Sequence, residues 1–405
     1  MVLLSLVLSL VTLSPSTASM PSTTQTTSPP AAASRGRAPA GATFDAVAKR
    51  ANAARDAGRL EEAIGLYREA LRLKPDWTEG RWYLGTSYYE LDRYSEAATA
   101  FKRVVASEPR HGAAWGFRGL CEYQLRQYEP ALGSLINARQ YGLGPNKELA
   151  SVVRYHAAVL MTRLGQYELA QKVLTEFVSE ANDSPRILEA LGLSTLRMPQ
   201  LPEEVDPTKR EAILLAGGGT YYYYSRMTAA ANGRFEELLR RYPDLPNAHY
   251  GFGVVLLNAE PDRAIEEFKR ELAQTPTHVP SMLQMAYEYL KRSDWTTAKT
   301  WAEQAVKLES DNVPARQALG QALLELDDVT GAIEQLRAGI AIAPETPILH
   351  FTLARAYRKA GRVEDAERER QTFQRLERTA PAQDRAVSSP AAPAATPGDP
   401  PRSPQ

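Results

Sequence analysis

The sequence predicts an all-α solenoid, a stack of antiparallel helix pairs, and three observations support this fold class. A period of 34 residues recurs through residues 42–380, and such a period is typical of repeat arrays. Each period holds two apolar stripes with the i, i+3, i+4 spacing of an amphipathic helix. A proline follows the second stripe, where it would end the helix and turn the chain.

The second helix of each repeat has a regular signature. A small residue is followed four positions later by a large apolar one, then usually by a small one, and finally by proline. Residues 59–75, 93–109 and 329–344 carry it as Ala63, Tyr67, Ala70 and Pro75; as Ala97, Phe101, Val104 and Pro109; and as Ala332, Leu336, Gly339 and Pro344.

Small residues also mark the point where the two helices of a repeat must cross. The first helix has its own stripe, such as Leu84, Gly85 and Tyr88. Close packing of two short helices requires little side-chain bulk at the crossing. The small residues expected there are Gly85, Gly119 and Gly320 on first helices and Ala97, Ala131 and Ala332 on second helices.

These positions resemble the tetratricopeptide repeat, which carries Trp–Leu–Gly–Tyr on its first helix and Ala–Phe–Ala–Pro on its second. The resemblance implies a right-handed superhelical solenoid. Clear copies start at residues 44, 78, 112, 151, 279, 313 and 347, and a copy over 246–278 has lost one residue from its turn.

Two weaker units lie between these copies. In 185–218 the second helix is delayed to about 207–216, where Asp206 and Pro207 cap it and Gly217 ends it. In 219–245, Pro243 and Pro246 shorten the second helix. The two units are either a loosened stretch without a role or a hinge.

The predicted organisation follows from these patterns and from the composition of the two ends. It comprises a signal peptide (1–18), a disordered Ser/Thr/Pro/Ala linker (19–41), an N-terminal block of four repeats (44–184), the two degenerate units (185–245), a C-terminal block of four repeats (246–380), and a disordered Pro/Ala-rich tail (381–405).

The N-terminal run indicates export. Residues 2–13 are apolar and small residues follow at 16–18. The run is too short to span a bilayer comfortably and suits a signal peptide. We therefore expect a periplasmic or secreted protein without an integral membrane span in the mature chain. The alternative is translation from Met20, which would leave the protein in the cytoplasm.

Composition argues against several functions. Lys plus Arg and Asp plus Glu both number 48, and nucleic-acid binding normally requires a basic excess. Cys121 is the single cysteine, and the five histidines form no HExxH or similar motif. Gly217–Gly219 lack the Gly-Lys-Ser/Thr of a phosphate loop. We predict no metal, no cofactor, no nucleic acid and no enzymatic activity.

The resemblance also implies a concave groove, lined by first helices, that holds a peptide or a partner's helix. Positions that would be exposed there are unusually aromatic, as protein contacts favour. The predicted groove residues are Trp82, Thr86, Tyr89, Tyr123, Tyr155, Val159, Tyr250, Tyr287, Phe351, Arg355 and Arg358. In contrast to core rings such as Phe101, we expect Tyr89 and Tyr123 to tolerate alanine with little loss of stability.

One known use of the family is disfavoured by the residues themselves. Domains that clamp a chaperone's C-terminal carboxylate need lysine, arginine and asparagine at fixed positions. The corresponding residues are Ala48, Asn52, Tyr83, Ala113 and Phe117, so that only Asn52 matches.

The resulting interpretation is a protein–protein interaction scaffold of the cell envelope. It would bind unidentified partner polypeptides in the groove. Two alternatives stay open: a cytoplasmic adaptor or regulator of the same family, and a helper of polysaccharide export whose groove aromatics stack on sugars.

Overall fold

The computed structural model describes residues 43–379 and folds this part of the chain into α-helices, with no β-strand among them. The predicted signal peptide (1–18), linker (19–41) and tail (381–405) lie outside the described residues. The chain divides into two compact units, Met1–Glu237 and Leu238–Gln405, here called unit 1 and unit 2.

The helices of unit 1 follow one another with short connections in the first four repeats. They are α1 (Phe44–Asp56), α2 (Leu60–Leu73), α3 (Thr78–Glu90), α4 (Tyr94–Ser107), α5 (Gly112–Gln124), α6 (Tyr128–Tyr141), α7 (Lys147–Arg163), α8 (Tyr167–Ser179), α9 (Pro185–Thr195) and α10 (Arg210–Tyr224). Helix α11 (Thr228–Arg241) contains the border between the units.

Unit 2 continues the same alternation of first and second helices. Its helices are α12 (Ala248–Leu256), α13 (Pro261–Gln274), α14 (Val279–Lys291), α15 (Trp295–Leu308), α16 (Val313–Glu325), α17 (Val329–Ile342), α18 (Pro347–Lys359) and α19 (Val363–Thr379). The predicted all-α solenoid is thereby confirmed.

The 34-residue register is visible in the helix starts. First helices begin at residues 44, 78, 112, 279, 313 and 347, as predicted, whereas α7 begins at Lys147 rather than at 151. The Asn146 side chain caps this earlier start by accepting a hydrogen bond from the Leu149 amide at 2.9 Å.

The crossing inside each repeat is as tight as the small residues predict. A Cβ placed on Gly85 would lie 2.8 Å from the Phe101 ring, and one on Gly320 would lie 2.6 Å from Leu336. Ala97 and Ala332 are fully buried. The large second-helix residue thus occupies the space that the first-helix glycine leaves open.

The turn between the two helices repeats a left-handed residue. Gly58, Asp92, Gly361 and, at the same repeat position, Arg126 and Asp327 have φ between 57° and 74°. Glycine adopts this conformation without strain, whereas the other residues accept a modest cost. The conformation reverses the chain within a few residues, so the two helices of the pair lie side by side.

The predicted helix end at Gly217 is wrong. Helix α10 runs without a break from Arg210 to Tyr224. A Cβ on Gly217 would lie 1.8 Å from the Leu188 carbonyl oxygen, and one on Gly192 would lie 1.9 Å from that of Ile213. The glycines therefore serve the contact between α9 and α10, and do not terminate a helix.

One helix consequently takes part in both degenerate units. Helix α10 packs against α9 on one side, while Gly219 faces the ring of Phe235 in α11, where a Cβ would lie 2.6 Å away. A 14-residue connection (196–209) joins α9 to α10 and contains two short 3-10 turns, Pro202–Glu204 and Pro207–Lys209. Asp206 caps the second turn through the Thr208 amide, at 2.9 Å.

Candidate protein-binding face

First helices of successive repeats pack side by side and form one face of each unit. In unit 1, α3 contacts α5, α5 contacts α7, and α7 contacts α9; in unit 2, α12, α14, α16 and α18 contact one another in the same way. We call these surfaces the first-helix faces. They are the surfaces on which the sequence places the groove residues.

The predicted groove residues differ in exposure. Four are partly buried: Trp82, Tyr123, Tyr287 and Phe351. Arg355 and Arg358 are exposed. The expectation of solvent exposure is wrong for the remaining five, which are buried: Thr86, Tyr89, Tyr155, Val159 and Tyr250.

An aromatic cluster explains the burial near the start of the face. The Tyr89 ring lies 5.1 Å from Phe117 and 5.7 Å from Tyr94, edge to face in both cases. Trp82 packs at 5.5 Å from Phe101 and from Phe117. These rings connect one repeat to the next, and edge-to-face packing stabilises them beyond simple burial.

The groove residues of unit 2 are held by nearby helices but keep exposed charge. The Tyr287 hydroxyl donates to the Pro314 carbonyl at 3.2 Å, and burial raises the pKa of Tyr287 to about 12. Phe351 packs 5.3 Å from Phe373. Arg355 bonds Glu325 at 2.7 Å, and Arg358 is exposed at the end of α18.

A segment of the chain itself covers the first-helix face of unit 1. Residues Leu201–Val205, in the connection between α9 and α10, contact α9 and reach back to α5 and α7. The Tyr123 hydroxyl on α5 donates to Glu203 at 2.6 Å, and the Arg163 guanidinium on α7 lies 3.3 Å from Glu204. We call Leu201–Val205 the covering segment.

Two apolar side chains anchor the covering segment. Leu201 is only 2% exposed and belongs to the same buried cluster as Tyr155 and Val159. Val205 is 7% exposed. The covering segment is therefore apolar at both ends and acidic between them, and its acidic part contacts Tyr123 and Arg163 on the predicted face.

Burial raises the pKa of two tyrosines on this face. Burial and the hydrogen bond to Glu203 raise the pKa of Tyr123. Burial also raises the pKa of Tyr155, whose ring lies 3.6 Å from the Arg186 guanidinium. Both hydroxyls therefore stay protonated at neutral pH, and Tyr123 acts as a hydrogen-bond donor.

His156 packs against the rings of both tyrosines and is held neutral. Its ring packs 4.8 Å from Tyr123, and its Nδ1 donates to the Val152 carbonyl at 2.8 Å. Burial lowers the pKa of His156 from 6.5 to about 4. A depressed histidine pKa contributes stability that is present above pH 6.5 and is lost as the pH falls towards 4.

We expect acid to weaken unit 1 through this histidine. Between pH 7 and pH 5 the wild-type chain should lose about 2 kcal/mol more unfolding free energy than His156→Gln, which cannot titrate. Urea unfolding of both proteins at the two pH values measures the difference. An equal loss in both would mean that His156 does not carry the pH dependence.

The sequence predicted Tyr123 as a groove position but gave no indication of the segment that covers it. Leu201, Glu203, Glu204 and Val205 precede the delayed second helix of a degenerate unit, for which the sequence left both a loosened stretch and a hinge open. The available signal was two aliphatic residues inside a connection bounded by Pro199 and Pro207. Aliphatic residues in a loop often indicate a segment that packs on the body of the protein.

The other chemically active residues take part in packing. His249 bonds Glu267 and His350 bonds Glu369, each at 2.6 Å. Cys121 is fully buried, and burial raises the pKa of its thiol. Asn52 accepts a hydrogen bond from the Tyr67 hydroxyl at 2.8 Å.

Residues 43–379 offer neither a metal site nor a membrane-spanning helix. That range contains no group of three or more His, Cys, Asp or Glu residues arranged to hold a metal ion. None of its helices combines the length and the apolar character needed to cross a bilayer.

Comparison with protein families gives a consistent assignment. A family model described as tetratricopeptide repeat matches residues 84–145, 217–279, 283–347 and 318–384. A second model, described as TPR repeat, matches residues 51–92. Together the matches cover more than half of the chain.

Two curated relatives resemble part of the chain. The human protein O-mannosyl-transferase TMTC3 is 25% identical over 255 residues, which are 60% of this chain and 27% of the relative. The general transcriptional corepressor trfA of Dictyostelium discoideum is 26% identical over 132 residues, 31% of this chain and 9% of the relative. The chain thus spans less than a third of either relative.

Solved structures with similar helices include MamA and YrrB. MamA 41-end from Desulfovibrio magneticus RS-1 has a TM-score of 0.39 and 20% identity, and covers 42% of this chain and 96% of its own. YrrB, described as a TPR protein with an unusual peptide-binding site, has a TM-score of 0.37 and 17% identity, and covers 42% and 87% respectively.

Proposed function

Because this chain belongs to the tetratricopeptide repeat family, we propose that it is a protein-interaction scaffold whose first-helix faces bind extended polypeptide segments of partners. The proposal includes no catalytic step. The histidines and the cysteine that could support chemistry are engaged in packing instead.

One observation carries the proposal. The covering segment is a short piece of polypeptide held on the first-helix face by a tyrosine hydroxyl, an arginine and buried aliphatic side chains. These are the kinds of contact by which a scaffold recognises a peptide: apolar anchors supply affinity and polar groups fix the register. On unit 2, the partly buried ring of Phe351 and the exposed Arg355 and Arg358 offer a partner segment apolar and charged contacts.

A charge-reversal experiment tests where partners bind. The purified full chain serves as bait in an extract of the source cells, and captured proteins are identified by mass spectrometry. The double variant Arg355→Glu/Arg358→Glu reverses exposed charge on the first-helix face of unit 2. We expect it to lose partners that the wild type captures, at least about tenfold, because it places repulsion on the contact surface.

A matched control keeps the same change in charge. Lys307 and Arg337 are exposed on second helices, α15 and α17. Lys307→Glu/Arg337→Glu should retain the captured partners. Equal loss in both double variants would show an effect of net charge alone, and no loss in the first-helix variant would contradict binding at this face of unit 2.

We further propose that the scaffold works in the cell envelope. The support is the apolar run at residues 2–13 with small residues after it. N-terminal sequencing of the native protein should find a chain that starts near residue 19. A native protein that retains residues 1–18, or starts at Met20 and fractionates with the cytosol, would contradict export.

A further inference from the structure

The first-helix face of unit 1 has an occupant in the free chain. The covering segment belongs to the same chain and bonds Tyr123 through Glu203, 80 residues further along. Its Leu201 lies in the same buried cluster as Tyr155 and Val159. The cover is a short 3-10 turn, Pro202–Glu204, flanked by extended residues Leu201 and Val205. Its form is that of a bound peptide more than that of a structural helix.

The contacts define three subsites. Leu201 enters the buried apolar cluster. Glu203 accepts a hydrogen bond from the Tyr123 hydroxyl at 2.6 Å, and Glu204 lies 3.3 Å from Arg163. Glu204 also accepts a hydrogen bond from the Leu201 amide at 3.0 Å, which stabilises the turn that presents Leu201 and Glu203 together.

With the covering segment in place, one buried polar atom beside it lacks a hydrogen bond. The side-chain oxygen of Gln200, directly before the covering segment, is buried and has no hydrogen-bond partner among residues 43–379. A buried acceptor without a partner destabilises the arrangement that buries it. Glu203 and Glu204 both remain partly solvent-exposed, so that water and competing ligands can reach the polar contacts.

We propose that Leu201–Val205 is an intramolecular ligand of the unit 1 face, and that partners binding there displace it with a segment of the same chemistry. The partner segment carries an aliphatic residue followed, two positions later, by paired carboxylates. This inference rests on the proposed function, because it treats the first-helix face as a peptide-binding surface. It adds the ligand class and the requirement for displacement.

Because the covering segment is tethered to its site, it would outcompete weak ligands that are free in solution. A segment joined to its site by a short linker has an effective concentration in the millimolar range. A free peptide with the same contacts at micromolar concentration therefore competes poorly. Removing the anchors of the tethered copy should open the face to that peptide.

The test uses the full chain and a defined probe. The probe is a fluorescently labelled peptide of residues 198–208. The opened variant is Leu201→Ser/Glu203→Gln, which removes the apolar anchor and the acceptor of the Tyr123 hydrogen bond. By fluorescence anisotropy we expect the opened variant to bind the probe at least about tenfold more tightly than the wild type.

Three controls make the result specific. A probe with glutamine at both positions 203 and 204 should bind the opened variant at least about tenfold more weakly. Adding Arg163→Ala to the opened variant should weaken binding of the original probe. A second opened chain, with residues 200–205 replaced by a Gly/Ser segment of equal length, replaces the first if circular dichroism shows that the first has lost helix.

The outcomes separate this inference from the proposed function. Equal binding of the probe by wild-type and opened chains, or no binding by an opened chain that is helical, would overturn the intramolecular ligand. If such an opened chain still captures partners that depend on Arg355 and Arg358, the scaffold function stands while the inference fails. Loss of both would contradict the scaffold function too.

Discussion

Gly217→Ala is expected to destabilise unit 1 by about 3 kcal/mol or more, whereas the same change at the next residue, Gly218, should be neutral or stabilising. The added methyl group at Gly217 would lie 1.8 Å from the Leu188 carbonyl oxygen. That atom belongs to a helix backbone and has no rotamer by which to move aside. Overpacking costs of about 1–3 kcal/mol are typical even when side chains can adjust.

Gly218 is the matched control because it lies in the same helix and is also buried. The nearest atoms to a Cβ there belong to the Arg234 side chain, at 3.8 Å, which is ordinary van der Waals contact. Alanine is favoured over glycine in a helix by about 0.5–1 kcal/mol. Urea unfolding of both variants measures the difference, and similar stabilities would mean that the backbones of α9 and α10 do not touch at Gly217.

The glycine run shows why one part of the fold could not be predicted from sequence. A glycine after an apolar helical stripe is compatible with a helix end and with a close helix contact. Which of the two occurs depends on whether the backbone of another helix packs against the glycine. Gly217 packs against Leu188, which lies beyond a 14-residue connection. Local pattern alone contains no information about that contact.

The repeat register was predictable because several positions in each repeat independently restrict the alignment. Gly85, Ala97, Phe101 and Pro109 each restrict the alignment of one repeat, and the same four classes recur 34 residues apart. An error at one position is corrected by the others. For this reason the predicted starts at residues 44, 78 and 112 agree with the helices.

Exposure on the first-helix face was less predictable for a different physical reason. The register says on which side of a helix a residue lies, but not what covers that side. Tyr89 is covered by rings of its own and the next repeat, Tyr94 and Phe117. Tyr123 is covered by Glu203 from a distant connection. Only the assembled tertiary structure distinguishes an open face from one that its own chain occupies.

The second large effect is expected at Phe101, where alanine should lower stability by about 3–5 kcal/mol. Phe101 is fully buried, fills the space beside Gly85, and contacts the rings of Trp82 and Phe117. Removing the ring would leave a cavity, because Gly85 on one side of it has no side chain to fill the space. Unfolding by urea, followed by circular dichroism, gives the size of the loss.

Substitutions at Tyr89 test whether the aromatic cluster connects the two repeats or lines an open groove. Sequence alone predicted that Tyr89→Ala would cost about 1 kcal/mol or less, as surface changes do. With the side chain only 7% exposed and packed on Phe117, we now expect a loss of about 2–4 kcal/mol, close to that of Phe101→Ala. Tyr89→Phe keeps the ring and should cost less than about 1 kcal/mol, because removing the hydroxyl leaves the ring contacts in place. If Tyr89→Ala proves as mild as Tyr89→Phe, the ring does not connect the two repeats and its place is on an open groove after all.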